Sequence, residues 1–221
     1  MYDLAEDEFV PGNLLFADGQ GLKTTDGTTT SLIAGSSGLR GYSDGVGSNA
    51  RFSSILSFIQ LLRSQIVLAD YVNHCFRNVD RTTNQTSTYS GSCTQSGGRD
   101  GVDALFTNPT SIRLDVKNNA QLLIADNSLG SLKKIISKHV STIDTDGSYR
   151  LVALLQDPST GNIYVTFHHG VGFYDYESLS FSVIAGSQAG FVDGAISLTR
   201  FYNPKKVAFI CPRKLLIPAH S

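Results

Sequence analysis

The sequence predicts an all-β protein made of repeated antiparallel sheets, and a short recurring phrase is the first observation behind this prediction. An apolar strand that closes on a small residue, followed in three copies by Asp, occurs five times in 221 residues. The copies are 14–18, 66–70, 122–126, 163–167 and 215–219. Their fourth residues are 52, 56, 41 and 52 positions apart. A period of this size indicates a repeat architecture.

The second observation is that each phrase lies within a series of β-prone runs. Residues 75–80 and 86–90 alternate in side-chain character on either side of a turn at 81–84, which is typical of a hairpin. Apolar runs without polar alternation precede the phrases, at 55–62, 110–116, 151–155 and 207–210. One unit is therefore four antiparallel strands with the most apolar strand first. Such units repeated radially form a β-propeller.

A second repeated element separates the units. Residues 35–52, 91–106 and 186–201 each begin with Gly-Ser, contain Asp-Gly and close on Phe. We expect the glycines to supply turns with positive φ, and each Phe to fill the gap between neighbouring blades. The third junction, 142–150, lacks this element, which explains the shorter step of 41 residues and predicts an abbreviated third blade.

These residues resemble the NHL-repeat family, in particular its extracellular animal-type repeats. The run Asn73–Asp80 is close to the family core N-H-x-I-R-x-[ILV]-D, and the apolar-Ala-Asp phrases and Gly-Ser…Asp-Gly…Arg-Phe linkers extend the likeness from Gly12 onward. Residues 127–130 and 166–169 depart from the pattern. The resemblance implies a β-propeller of NHL type. Its members include protein-binding ends of ubiquitin ligases, RNA-binding domains, extracellular sensor domains and peptide-amidating lyases.

The repeats divide the chain into a lead and a propeller segment. Residues 1–11 are interpreted as an N-terminal lead or a remnant of a preceding blade, since they make a poor inner strand. Residues 12–221 are the propeller, with repeats at 12–52, 53–106, 107–149, 150–201 and a partial one at 202–221. About four blades are therefore expected. The interpretation favours an open arc of a larger propeller, part of a longer protein, over a small closed ring.

The amino-acid composition limits the classes of partner that the protein is expected to bind. Lys and Arg number 18 against 19 Asp and Glu, a net charge of −1, which argues against nucleic acid as a ligand. No stretch approaches the ~20 apolar residues of a membrane-spanning helix. Residues 1–8 are acidic and unlike a secretory signal. We expect an extracellular or cell-surface location within a longer protein, with the cytoplasm as the alternative.

Two features of the sequence favour the extracellular location over the cytoplasmic one. Cys75 and Cys93 lie 18 residues apart, and the intervening hairpin brings both to the same end of the second blade. A disulfide is therefore predicted, with two reduced thiols as the alternative; a bridge implies an oxidising compartment. Asn84-Gln85-Thr86 is a glycosylation sequon at the expected hairpin tip, so Asn84 is a candidate glycan site.

The chemistry-bearing residues do not form a catalytic motif. Asp18, Asp70 and Asp126 are interpreted as turn formers at strand ends, because a carboxylate there accepts backbone N–H groups. His168 and His169 are adjacent, so on a strand they would point to opposite faces, and no metal site is predicted. No cofactor and no catalytic residue are assigned.

The sequence therefore favours a non-catalytic binding or scaffolding module that presents one rim of the propeller to a protein partner. Candidate contact residues in the rim loops are Tyr71, Asn73, Asn127 and His168. One alternative is a metal-dependent propeller enzyme of the lactonase or amidating-lyase kind. The other is an RNA-binding NHL domain.

Overall fold

The computed structural model describes residues 3–62, 64–145, 147–178, 180–186, 188–190, 192–195, 198–211 and 214–217. These residues form an all-β protein whose four large sheets are propeller blades, as predicted. Each blade is an antiparallel meander in which strands consecutive in sequence are neighbours in the sheet. Helix is confined, among these residues, to one short 3₁₀ turn.

Blade one consists of β1 (Asp3–Glu6), β2 (Leu14–Ala17), β3 (Gly21–Thr25) and β4 (Thr30–Gly35). Blade two consists of β6 (Ile55–Leu62), β7 (Gln65–Asp70), β8 (Cys75–Asp80) and β9 (Gln85–Ser90), with the short β5 (Gly45–Val46) paired outside β9 and a 3₁₀ turn at Gly47–Asn49. Blade three consists of β10 (Pro109–Asp115), β11 (Asn118–Asp126), β12 (Ser131–Ile136) and β13 (His139–Thr145). Blade four consists of β14 (Leu151–Gln156), β15 (Ile163–Phe167), β16 (Gly170–Asp175) and β17 (Ser180–Gly186).

A further pair, β18 (Ala208–Cys211) and β19 (Lys214–Leu216), forms a two-stranded sheet within the predicted partial repeat. The last two residues of the fifth phrase, 218 and 219, lie outside the described residues. The chain divides into two compact units. The first is Met1–Ile112 with Lys138–Val140, and the second is Arg113–Ser137 with Ser141–Ser221.

The recurring phrases form the second strand of each blade, β2, β7, β11 and β15, as the repeat predicted. The expectation that blade one begins at its second strand is wrong. Asp3–Glu6 form β1, which pairs with β2 in the register Asp3 to Ala17 and Glu6 to Leu14. The acidic side chain of Asp3 has a partner in the fold, because its Oδ2 accepts a hydrogen bond from the Phe58 backbone N–H at 3.1 Å. Because of its acidic side chains, this strand was not recognised from the sequence, although pairing with β2 stabilises it.

The core of the first unit lies between blades one and two. Its buried apolar cluster combines Leu15 and Leu22 of blade one with Ile55 and Leu68 of blade two, and Phe52 of the linker is fully buried among them. The predicted plugging role is therefore confirmed for Phe52. A Cβ atom at Gly35 would lie 2.8 Å from the Phe52 ring, so only glycine, here at φ +96°, permits this contact.

Aspartates also fix several hairpin turns. A carboxylate oxygen accepts the backbone N–H groups two and three residues further on at Asp26 (from Thr28 and Thr29, 2.8 and 2.7 Å) and at Asp175 (from Glu177 and Ser178, 3.1 and 2.7 Å). These hydrogen bonds favour the ionised form and lower the pKa of both carboxyl groups below their ordinary value.

We expect these lowered pKa values to make the stability of the fold depend on pH. A carboxyl group with a lowered folded-state pKa contributes stability above its unfolded pKa of 3.8, and the contribution is lost as pH falls through the folded value. Asp175→Asn keeps the acceptor oxygen but not the charge. Its urea midpoint should therefore decline less than that of the wild type between pH 5 and pH 2. Parallel decline of the two proteins would contradict the assignment.

Candidate functional site

The candidate site is the end of each blade at which the turn between its second and third strands meets an interblade linker. We call this the linker end. The turns are 18–20, 71–74, 127–130 and 168–169, and the linkers are 36–54, 91–108, 146–150 and 187–207. Loops positioned by a rigid sheet are the usual place for recognition residues. The contacts between turn and linker therefore decide which side chains are free to bind.

Asp70, the last residue of β7, is a carboxylate with several hydrogen bonds at this end. It is fully buried, and its Oδ1 accepts the backbone N–H groups of Ser53 and Ser54 at 3.0 and 3.1 Å. Its Oδ2 accepts the Asn73 amide at 2.7 Å. Burial raises the pKa of Asp70, and the hydrogen bonds oppose that rise. The carboxylate therefore contacts its own turn through the Asn73 side chain, and the backbone N–H groups that it accepts belong to the preceding linker, whereas the sequence had predicted those of the following turn.

Asp18 occupies the same place in blade one with weaker contacts. Its Oδ1 accepts the Gly21 backbone N–H at 3.0 Å, and its other oxygen pairs with Lys23. Its side chain is 31% exposed, whereas that of Asp70 is fully buried. The same residue in the same repeat position therefore ranges from a partly exposed turn former to a buried anchor.

Arg77 of β8 is a residue that the sequence analysis did not assign to the site. Its guanidinium is fully buried and donates to Asp44 Oδ1 at 2.5 Å, to the Ser43 carbonyl at 3.1 Å and to the Arg51 carbonyl at 3.3 Å. It also lies 4.9 Å from the centre of the Tyr42 ring. Arg77 thus holds the linker of residues 36–54 against blade two. The Arg in the NHL-like run and the repeated Asp-Gly at 44–45 were the available signals.

The two predicted contact residues of the first unit lie in one turn. Tyr71 is half-buried; its backbone N–H donates to the Ser54 carbonyl at 2.9 Å and its carbonyl accepts the Asn108 amide at 3.1 Å. Asn73 donates its amide to the Gly41 carbonyl at 2.8 Å as well as to Asp70. The Asn73 amide therefore works inside the protein, and the Tyr71 ring is the freer of the two side chains.

The other two predicted contact residues belong to the second unit. Asn127 is only 5% exposed and donates its amide to the Leu151 carbonyl at 2.7 Å. His168 is half-buried, with its ring centre 5.8 Å from that of His169. Burial, followed by the positive charges of Arg150, His169 and Lys205, lowers the pKa of His168, so the neutral ring is favoured. A role for these four residues in recognition stays a prediction.

The predicted disulfide is confirmed. Cys75 and Cys93 are bonded, with Cα atoms 4.9 Å apart, and both are buried. The bridge ties the start of the second linker to the first residue of β8. The sequon residue Asn84 lies in the β8–β9 turn at φ +54° and is half-exposed, and its glycosylation stays a prediction.

Several linkers expose large apolar side chains. Leu39 is 59% exposed in the first linker, Val102 68% in the second, and Leu198 65% and Tyr202 53% in the fourth. These residues were not singled out from the sequence. Apolar letters inside Gly-rich loops were the signal that could have found them.

No group of three or more His, Cys, Asp or Glu side chains among the described residues is placed to hold a metal ion. Within the same residues, no helix is long and apolar enough to cross a membrane.

Comparison with known proteins adds information on the fold. No family model matches the chain. None of the curated proteins matches it either. Among solved structures, an auxiliary nutrient binding protein from Bacteroides thetaiotaomicron is similar, with a TM-score of 0.65 and 12% identity over 93% of this chain and 47% of that protein.

Two further solved structures come from different settings. A structure described as the extracellular domain of a one-component system from B. thetaiotaomicron has a TM-score of 0.61 and 11% identity over 94% of this chain and 25% of that one. The nidogen/laminin complex has a TM-score of 0.56 and 12% identity over 80% of this chain and 63% of that one.

At such low identity these likenesses show the fold alone, and the class of protein they support is the β-propeller. The chain spans about half the length of the nutrient binding protein it matches. Since no family model matches, NHL-repeat membership stays a proposal.

Proposed function

We propose that this chain is a non-catalytic binding module, with blades of NHL type, that presents its linker end to a protein partner. The observation that carries the proposal is the combination of a fixed backbone and exposed apolar side chains in the first linker. Leu39 is 59% exposed. The nearby Gly41 N–H donates to the Phe52 carbonyl at 3.3 Å, and the Gly41 carbonyl accepts the Asn73 amide at 2.8 Å.

A fixed loop is a favourable binding element for a physical reason. Ordering side chains and loops on binding costs free energy, and a loop that is already held in place avoids much of that cost. The buried Arg77 adds further bonds to the same linker at Ser43 and Asp44. Leu39 therefore lies two residues from a hydrogen-bonded stretch of the linker, a favourable position for an apolar contact residue.

The second unit supports the proposal by itself. In the fourth linker, Arg200 donates its backbone N–H to the Val192 carbonyl at 3.0 Å, and Leu198 donates to the Ala195 carbonyl at 2.8 Å. Leu198 and Tyr202 are exposed on this bonded loop. Both units thus combine bonded linkers with exposed apolar side chains.

An extracellular or cell-surface location, within a longer protein, belongs to the same proposal. The Cys75–Cys93 disulfide supports it, because such bonds persist in oxidising compartments and are rare in the cytosol. One of the similar structures is described as an extracellular domain. Glycosylation at Asn84 of the secreted protein would add support and is detectable by mass spectrometry.

The proposal is tested with two variants, one at the linker end and one at the opposite end of blade two. Leu39→Ser changes the linker end, and Leu62→Ser changes a side chain of similar exposure, 62%, at the other end of β6. Wild type and both variants are immobilised, and proteins captured from extracellular fluid of the source organism are quantified. Leu39→Ser should lower capture of the partner about tenfold, as loss of a central apolar contact does.

Both variants should leave stability within about 0.5 kcal/mol of the wild type, since each changes an exposed side chain. Equal loss in the two variants, or no loss in Leu39→Ser, would contradict a partner site at the linker end. Stoichiometric zinc or calcium in the purified protein would favour the enzyme alternative instead. RNA binding would be recognised by an affinity that falls steeply with salt.

A further inference from the structure

The junction between blades three and four differs from the other junctions in its sequence. Elsewhere a glycine at the end of the outer strand contacts the closing Phe of the linker: a Cβ on Gly35, Gly91 or Gly186 would lie 2.8 Å from the ring of Phe52, Phe106 or Phe201. The third linker, Asp-Gly-Ser-Tyr-Arg at 146–150, has no closing Phe, and Tyr149 is its aromatic residue.

An acid also enters at this junction. The outer strands of blades one and four end in Ile-Ala-Gly (33–35 and 184–186) and that of blade two in Tyr-Ser-Gly (89–91). The outer strand of blade three ends in Ile143-Asp144-Thr145. Asp144 therefore stands where the other blades have a small uncharged residue.

These substitutions accompany a pocket that lies entirely within the second unit. Its walls are the aliphatic side chains of Leu132, Leu151 and Val165, the rings of Tyr149, Tyr174 and Phe181, and Asp144. The Tyr149 ring centre lies 5.4 Å from that of Phe181. The free space, about 10 Å³, is the room of a single water-sized group.

Among the described residues, no positively charged side chain pairs with the Asp144 carboxylate. Among those residues it makes neither a hydrogen bond nor an ion pair, and it is only partly buried. Burial and, next, the negative charge of Asp144 raise the pKa of Tyr174, so the carboxylate acts on the group that forms the pocket wall. The pocket is therefore anionic, aromatic and partly open.

We infer that this pocket takes the terminal ammonium of a lysine side chain. Asp144 supplies the opposite charge, and the aromatic rings of Tyr149, Tyr174 and Phe181 line the same pocket, where a cation over a ring face gains further attraction. A primary ammonium is about the size of water, whereas a guanidinium or a trimethylammonium group is larger. The inference rests on the proposed function only in taking the lysine from a protein partner.

The test uses a small probe and therefore needs no knowledge of the partner. Nα-acetyl-lysine N-methylamide is titrated into the ¹⁵N-labelled chain, and amide shifts are followed by NMR. Shifts should concentrate at residues 130–151 and 165–181, and Nα-acetyl-norleucine N-methylamide, which lacks the charge, should bind at least tenfold more weakly. Asp144→Asn should weaken lysine binding about tenfold, because it removes a charge-assisted contact.

Asp193→Asn is the matched control, since Asp193 is an exposed acid of the same unit outside the pocket, and it should bind as the wild type does. Tyr149→Leu, with a melting temperature within a few degrees of the wild type, should also weaken binding. Equal binding of the norleucine probe, no effect of Asp144→Asn, or tighter binding of the trimethylated lysine probe would overturn the inference.

The outcome is independent of the Leu39→Ser experiment. Failure of the lysine probe together with partner loss in Leu39→Ser would reject the pocket and leave the binding module standing. Lysine binding with no effect of Leu39→Ser would retain the pocket and reject the site at the first linker.

Discussion

Replacing both Cys75 and Cys93 with Ala should lower the free energy of unfolding by about 3 kcal/mol. The bond closes a loop with a sequence separation of 18 residues, and the loss of that constraint from the unfolded chain is worth roughly this amount. Both side chains are buried, so the deleted sulfur atoms add a small cavity cost in the same direction.

The measurement is urea unfolding of the oxidised wild type and of the double Ala variant, with thermal melts as a second readout. For a chain of this length, the melting temperature should fall by roughly 6–12 °C. A reducing agent should destabilise the wild type and leave the double variant unchanged. A double variant as stable as the oxidised wild type would mean that the bridge contributes nothing to stability.

The disulfide could be predicted because it follows from local strand order. Cys75 begins the third strand of blade two, and Cys93 follows the fourth strand, so an antiparallel hairpin places them at one end. The second strands β2, β7, β11 and β15 were equally accessible, since each contains a short apolar run of the repeated phrase. Local patterns of this kind survive tertiary packing.

The first strand could not be predicted from the same patterns. β1 is acidic, and what stabilises it is pairing with β2 and a hydrogen bond from Phe58, a residue 55 positions away. Burial of Arg77 was hidden for a similar reason: its partners Ser43, Asp44 and Arg51 lie 26 to 34 positions earlier. Polar residues with distant partners carry no periodic signal.

The composition of the candidate site could be predicted only in part. The turns 71–74 and 127–130 follow the second strands of their blades, as the repeat predicted. Asn73 and Asn127 were predicted to be contact residues of the rim loops, but their amides bond to the carbonyls of Gly41 and Leu151. A side-chain amide after a strand end reads the same in sequence whether it faces a partner or the protein's own backbone.

The pocket beside Asp144 illustrates the opposite case. The missing linker element at 142–150 was visible as a shorter repeat step and predicted an abbreviated blade, which is wrong, because blade three has four strands and only its linker is short. Its consequence, a small space walled by Tyr149, Tyr174 and Phe181, depends on side chains from separate strands of the second unit. The position of the irregular junction could be predicted from the sequence, whereas the chemistry of the pocket depends on how these side chains pack.

Asp70→Ala should be the most destabilising single change at the linker end, at about 3–5 kcal/mol. The substitution leaves the backbone N–H groups of Ser53 and Ser54 without their acceptor, and it removes one of the two carboxylates near the buried Arg77, at 3.8 Å. Removing one partner from a buried charged network leaves the other uncompensated, and costs of this size are the usual result.

Asp18→Ala is the matched control, because it makes the same change at the same repeat position of blade one. Asp18 is partly exposed and pairs with Lys23, whose side chain is also partly exposed, so its loss should cost only about 1 kcal/mol. Urea unfolding of the two variants under the same conditions measures the difference directly. Equal costs would show that burial adds nothing to the role of this Asp.

The same pair of variants separates anchoring from recognition. If Asp70 and Arg77 hold the first linker, proteolysis of folded Asp70→Ala should begin within residues 36–54, and Asp18→Ala should resist cleavage there. Partner capture by Asp70→Ala should then fall as in Leu39→Ser, although Asp70 is fully buried and exposes no surface to a partner. Normal capture by a variant with a cleavable linker would show that the fixed backbone beneath Leu39 is not required for binding.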